Sequence, residues 1–182
     1  MKDIAIVVGH TKLSPGACSP HGIPCEFEFN SKIAEYLEPI ADIYFYDSYN
    51  LGYTAMVKKN AAKLNKKNYK LVLELHYNAA SELANGTECL YYFANKKGKD
   101  LSVLFCEMFC KEFHTTNRGA KALVSEKDRG FAAVYYPKAT TLILEPFFGS
   151  NKGDVQRIKY NQEDYADMIC DFIEEAREKK LI

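Results

Sequence analysis

The chain has 182 residues, with 24 Lys and Arg against 24 Asp and Glu and 47% hydrophobic residues. That length suits one domain with a real core, and the ordinary apolar and charged fractions suit a globular protein. The balanced charge argues against a nucleic-acid binder, which needs a basic surface to displace counterions, and no apolar stretch approaches the roughly 18 residues of a membrane span, so stable membrane association is not expected.

The elements follow in chain order. Residues 4–9, IAIVVG, read as a buried strand. Residues 26–40 read as a helix: Phe29, Ile33, Tyr36, Leu37 and Ile40 recur at helical spacing, and Pro24 lies just before the start, where proline is tolerated. Residues 42–47 form a strand, 53–67 a polar-faced helix and 69–75 a second buried strand. Residues 87–94 are a third apolar run, followed by a helix with a wide apolar face over 99–113. TTLILE, 140–145, is another buried strand, and 162–180 closes the chain as an amphipathic helix with Tyr165, Met168, Ile169, Phe172, Ile173 and Ala176 facing inward. Alternating strands and helices predict an α/β fold: a single domain with a central, twisted, mostly parallel sheet flanked by helices on both faces.

Three chemistry-bearing residues share one address. His10 follows the first strand, His76 follows LVLEL, and Glu145 closes TTLIL. In open α/β sheets ligands bind outside the carboxyl ends of the strands, so residues far apart in sequence converge on one rim. Glu26 joins them if the Gly/Pro-rich stretch after His10 folds back to start the first helix there; the glycines and prolines fix its turns. His10, Glu26 and His76 make a His₂Glu set, and three protein ligands plus an open position is the arrangement of catalytic zinc. Imidazole and carboxylate suit Zn2+ better than magnesium or calcium. Glu145 is then the carboxylate that moves the proton. Glu74 shares a strand face with His76 by period-two spacing and stands as its partner or as an alternative base. Glu28 competes with Glu26 but points elsewhere on the helix, and His21 and Cys25 are alternative metal donors in the loop.

The six cysteines contain no CxxC pair, and the start, MKDIAIVVGH, lacks the apolar core and cleavage site of a signal peptide. Synthesis in the cytosol follows as the expectation, with most cysteines small buried hydrophobes. Cys106 and Cys110 belong to the apolar helix face, and their four-residue spacing also admits a zinc pair. Cys18 and Cys25 are expected to be surface thiols that react faster than these two.

VVGHTKLSPGA…GIPCEFEFN resembles the first signature of zinc-dependent N-acetylmuramoyl-L-alanine amidases of the amidase-3 type: Gly-His after strand one, a Gly-Ala turn at Gly16 and Ala17, then Glu26 four residues before Asn30. LVLELHYNAA resembles the second, with His76 and Asn78. NGTECLYYF is similar to the Gly-x-Glu strand, NRGAKAL to the Arg-Gly turn, and TTLILEPFFGSNKGD to the final signature, a glutamate before an aromatic and a Ser-Asn. Val8 departs from the usual proline before Gly-His, and KKNAAKL replaces an Arg-Ala-Asn stretch.

The resemblance implies one zinc held by His10, Glu26 and His76, catalysis by Glu145, and hydrolysis of the bond between N-acetylmuramic acid and L-alanine in peptidoglycan. Asn78, Arg118 and loop 11–25 become substrate-contact candidates. It implies a catalytic domain over residues 1–182, similar to endolysins of phages and prophages of clostridial-like Gram-positive hosts, that lyses the wall as an endolysin or an autolysin; the stretch carries no wall-binding module, being either cut from a longer chain or working without one, and the release route, a phage-encoded pore among the options, stays open. Two other readings stay open: a zinc carboxypeptidase on stem peptides, with Arg118 or Arg129 gripping the C-terminal carboxylate, and a non-catalytic wall-binding module. Oligomeric state is not legible.

Overall fold

Five consecutive apolar residues form strand β1 (Ile4–Val8), every one of them buried. Such a run suits the centre of a parallel sheet, where both faces are covered. The computed structural model describes residues 2–47, 52–158 and 162–182. Among them six strands form one sheet in the order β2-β1-β3-β6-β4-β5, the others being β2 (Asp42–Phe45), β3 (Leu71–Leu75), β4 (Thr87–Tyr92), β5 (Asn117–Leu123) and β6 (Thr140–Glu145). β2, β1, β3 and β6 pair in parallel; β4 runs antiparallel to β6, and β5 runs parallel to β4. The mostly parallel α/β architecture expected from the sequence is the one observed.

The topology gathers particular residues at one rim. The carboxyl ends of β1, β3 and β6 lie side by side. Because β4 is reversed, its beginning lies there too, and Glu88 sits opposite Glu145.

Helices α1 (Glu26–Leu37), α3 (Lys96–Phe113) and α6 (Gln162–Glu178) cover one face of the sheet over Ile4, Ile6, Val8, Leu71, Leu73, Leu75, Leu142 and Leu144. The other face carries Ala5, Val7, Val72 and Ile143 under α2 (Tyr53–Leu64) and the short α4 (Phe131–Tyr135). α3 starts at Asn95, whose side chain accepts the Gly98 N–H at 2.9 Å.

The structure departs from the sequence reading in several places. The first helix stops at Leu37, and Tyr36 and Ile40 are exposed rather than inward-facing. NRGAKAL is an edge strand instead of a turn; its polar, largely exposed residues carry no alternating pattern. α4 and α5 (Lys152–Ile158) are too short to give a periodic signal. No described helix is long and apolar enough to cross a membrane.

Candidate metal centre and active site

After β1 the chain turns at Gly9 and His10. A Cβ on Gly9 would lie 2.4 Å from the His76 ring, so only glycine lets the two strand ends approach this closely. The rings of His10 and His76 meet edge to face with centroids 4.8 Å apart. His10 is left-handed, φ 66°, a conformation that costs a non-glycine residue about 1–3 kcal/mol and persists where the surroundings fix it. Gly16 is part of that fixing: with φ 80° it brings its backbone against the His10 ring, where a Cβ would reach within 2.6 Å.

Loop 11–25 returns the chain to the same rim. A bridge joins Thr11 and Ser14, the Glu26 N–H donates to Ala17 O at 3.0 Å, and the Phe27 N–H donates to Pro15 O at 2.9 Å. A disulfide between Cys18 and Cys25 closes the loop. This corrects the expectation of two free surface thiols: Pro20, Gly22 and Pro24 turn the chain so that the two cysteines meet. The Tyr77 hydroxyl adds a tie, 2.7 Å from Ala17 O and 2.9 Å from Pro24 O.

So held, α1 begins with Glu26 buried at the rim. Glu26 Oε1 accepts the Ala17 N–H at 2.8 Å. Its Oε2 lies 3.1 Å from His10 Nε2 and 3.1 Å from His76 Nδ1, and accepts the Tyr77 N–H at 3.3 Å. The other nitrogen of His76, Nε2, lies 3.0 Å from Glu74 Oε1, and Glu74 Oε2 accepts the Tyr46 hydroxyl at 2.8 Å. Burial works to raise the Glu26 carboxyl, but hydrogen bonds and charge from His10 and His76 outweigh it and hold the carboxyl at about 2. Burial likewise works to lower His76, yet its hydrogen bonds to Glu26 and Glu74, with the charges of Glu74 and Glu145, push it up to about 10.

Glu145 closes β6 on the same sheet face as Glu74 and Glu88, as period-two alternation and the β4–β6 register require. Its Oε2 is buried with no hydrogen-bond partner among the described residues. Burial first, then the charges of Glu26 and Glu88, push its carboxyl up to about 8 against the opposing pull of His76 and Arg129. A buried carboxyl oxygen without a partner is rare and marks a group held ready for one.

Asn78 and Arg118 converge on one carboxylate, Glu88: the Asn78 side-chain amide donates to Oε1 at 2.7 Å and Arg118 Nε to Oε2 at 2.8 Å. Arg118 also stacks on Phe148, 4.9 Å from the ring centroid. Sequence reasoning did not single out Glu88, although its Gly-x-Glu context was visible. His21 turns away from the centre, with Nε2 3.2 Å from Ser150 O. Cys106 is buried and Glu28 exposed, and neither Cys106 nor Cys110 joins a metal-capable group among the described residues. The site opens into a cleft of about 740 Å³ whose lining includes His10, Glu26, Glu74, His76, Glu88 and Glu145.

The donor set fits zinc. One atom each from His10, Glu26 and His76 lies within 4.8 Å of the others, and tetrahedral bonds of about 2.0–2.1 Å space their ligand atoms roughly 3.3 Å apart, close to the two 3.1 Å separations seen. Glu74 stands where a carboxylate orients a metal-binding imidazole through its second nitrogen.

Comparison with known proteins gives the family and the fold. The catalytic domain of an endolysin targeting Clostridia difficile shares 25% identity at a TM-score of 0.78, covering 96% of this chain and 98% of that one. A catalytic domain of an N-acetylmuramoyl-L-alanine amidase from Bacillus (Paenibacillus) polymyxa gives 22% identity and a TM-score of 0.75, covering 98% and 99%. An N-acetylmuramoyl-L-alanine amidase from Clostridium difficile 630 gives 17% and 0.79, covering 98% of each chain. No curated protein matched the chain. The family model described as N-acetylmuramoyl-L-alanine amidase matches residues 4–175, and with nearly the whole length matched, the chain belongs to the amidase-3 family of N-acetylmuramoyl-L-alanine amidases.

Proposed function

We propose that this member of the amidase family is a zinc enzyme that cleaves the amide between N-acetylmuramic acid and L-alanine in peptidoglycan, with His10, Glu26 and His76 holding the metal and Glu145 moving the proton. The observation that carries the reading is the placement of Glu26 Oε2, 3.1 Å from a nitrogen of each histidine, with an unpartnered Glu145 oxygen on the same rim. When bound, zinc supplies Lewis acidity, polarising a carbonyl and lowering the pKa of a water to about 7.

The chain's own residues do the rest. Glu74 and Tyr46 fix the orientation of the His76 ring. Ala17 N–H fixes the Glu26 carboxylate against rotation. Glu145 Oε2 takes the proton of the attacking water and delivers it to the amide nitrogen, which must be protonated to leave. Burial pushes the Glu145 carboxyl upward, toward the range in which one group can both accept and return a proton, and the charge of a bound metal would act in the opposite direction. Loop 11–25 forms one side of the cleft and is the proposed glycan-facing wall; Asn78 lines the cleft and is the proposed contact to the reacting group, while Arg118, outside the lining, acts through Glu88, which both residues hold. Similarity to the catalytic domain of a clostridial endolysin supports a Gram-positive wall as the target.

The test is digestion of purified Gram-positive peptidoglycan with product analysis by mass spectrometry. Peptides beginning with L-alanine, together with peptide-free glycan, are the expected products. Release of single C-terminal amino acids would instead select the carboxypeptidase reading. Binding to walls without any cleavage would leave only a wall-binding module.

A further inference from the structure

The cleft is strongly acidic. Glu26, Glu74, Glu88 and Glu145 all line it, and among its described lining residues Arg129 is the only arginine or lysine. Of the two arginines that the sequence offered for gripping a carboxylate, Arg118 is already committed, with its Nε on Glu88 and its plane on Phe148. Arg129 is exposed and makes no hydrogen bond or ion pair among the described residues. Its charge nevertheless reaches the site, opposing the upward push that burial gives the Glu145 carboxyl and the Tyr53 hydroxyl.

The backbone beneath Arg129 is fixed. Asp128 Oδ2 accepts the N–H groups of Val124 and Ser125 at 2.7 and 2.9 Å, and the Phe131 N–H donates to Asp128 O at 3.1 Å. Gly130 has φ 90° and packs where a Cβ would lie 2.7 Å from Ile143 Cδ1. A turn fixed by these hydrogen bonds that places an unpaired guanidinium on the cleft wall, where it is the only arginine or lysine among the described lining residues, is arranged for an anion brought by the substrate.

We propose that Arg129 is a specificity residue that binds a free carboxylate of the stem peptide on the leaving-group side of the scissile amide. This rests on the amidase reading above. Two carboxylates of an L-Ala–γ-D-Glu–L-Lys stem qualify chemically: the α-carboxylate of the glutamate and the C-terminal one.

The test uses the zinc-loaded enzyme and three N-acetylmuramoyl tripeptides: one with both carboxylates free, one with the glutamate α-carboxylate amidated, and one with the C-terminus amidated. Losing a charge-assisted bond of this kind raises KM about tenfold, so amidating the bound carboxylate should have that effect on wild type with kcat little changed. That result identifies which carboxylate is held. Arg129→Ala should raise KM by the same factor for the doubly charged peptide and no longer distinguish the three. Arg129→Lys should fall between, and unchanged zinc content and circular dichroism would verify the fold of both variants. Equal KM values for all three peptides in wild type, or discrimination kept in Arg129→Ala, would overturn the proposal while leaving the amidase reading intact. Failure of wild type to cleave any of the three would sink the amidase reading, and the role of Arg129 with it.

Discussion

The two faces of the central sheet are built from the same strands and do opposite things. On the face under α1, α3 and α6, the inward residues of β1, β3 and β6 are all aliphatic, and α3 and α6, of 18 and 17 residues, pack aromatic side chains such as Phe105, Phe109, Tyr165 and Phe172 against one another. On the opposite face α4 has only 5 residues, and the strands present Glu74, Glu88 and Glu145 among the apolar positions, with Tyr46 beside them. The first face stabilises the domain through apolar burial. The second gives up part of a core to leave a cleft, where Glu74 and Glu88 are held by hydrogen bonds and ion pairs while an oxygen of Glu145 is left without a partner. A strand that reads as one continuous apolar run therefore hides two environments, and the rare charged position within it marks the working face.

The difference predicts that mutations on the two faces separate stability from activity. The largest effect is expected at Glu145. Glu145→Gln should lower kcat on the order of 10³-fold, the usual scale for losing a general acid–base group, while metal content is kept. In the metal-free protein a folded-state pKa raised to about 8 means that the ionised carboxyl costs stability above its ordinary value of 4.5, so with chelator present the same variant should unfold at a higher temperature than wild type at pH 8. Wild-type turnover in Glu145→Gln, with an inactive Glu74→Gln, would move the base to Glu74.

The covered face should behave in the converse way. Phe172 is fully buried and meets Phe105 at 5.7 Å between ring centroids. Phe172→Ala should cost about 3–5 kcal/mol in denaturant unfolding and leave the KM of the surviving folded enzyme unchanged. A KM change without loss of stability would show that the two faces are not independent.

Loop 11–25 joins the two environments, and its disulfide should matter for both. Cys18 and Cys25 are seven residues apart, and closing so short a loop stabilises by roughly 2–3 kcal/mol on chain-entropy grounds. Reduction, or the Cys18→Ser/Cys25→Ser double variant, should lower stability by that amount and weaken metal retention, since Cys25 directly precedes Glu26. Equal stability in the reduced and oxidised protein would mean that the loop is held by its hydrogen bonds alone.

The most gradual predicted effect is a pH dependence. The folded-state pKa of His76, about 10, lies above its ordinary 6.5, so its contribution is fully present below pH 6.5 and is lost as pH rises through 10. Glu26 works in the other direction: held at about 2, its contribution is present above pH 4.5 and is lost as pH falls through 2. The metal-free protein should therefore melt at progressively lower temperature between pH 6.5 and 10, whereas metal affinity should increase over the same range as His76 gives up its proton. A melting temperature that rises with pH in chelator would contradict the proton-bridged arrangement of Glu26, His76 and Glu74.

Sequence reasoning reached the working face because its residues stand at strand ends. His10, His76 and Glu145 could be assigned to one rim from three short apolar runs, and Glu26 from a Gly/Pro-rich loop of suitable length. The choice between Glu74 as a partner of His76 and Glu74 as a base needed side-chain geometry, and its two hydrogen bonds favour the first. The pairing of Cys18 with Cys25 depends on the path of the loop, which residue types alone do not specify. β5 was missed because an exposed edge strand with Gly119 in a left-handed conformation has no burial pattern to read. Arg129 drew notice only as one of two arginines; that Arg118 is occupied by Glu88 is a fact of tertiary packing.

The most direct test of the metal centre is elemental analysis of the purified protein and of His76→Ala, each paired with cleavage of an N-acetylmuramoyl-L-alanine amide. The account predicts about one zinc per wild-type chain, activity abolished by chelation and restored by zinc, and a His76→Ala protein that is folded, metal-free and inactive. Full activity in metal-free wild type, or a His76→Ala protein that keeps its zinc, would contradict it.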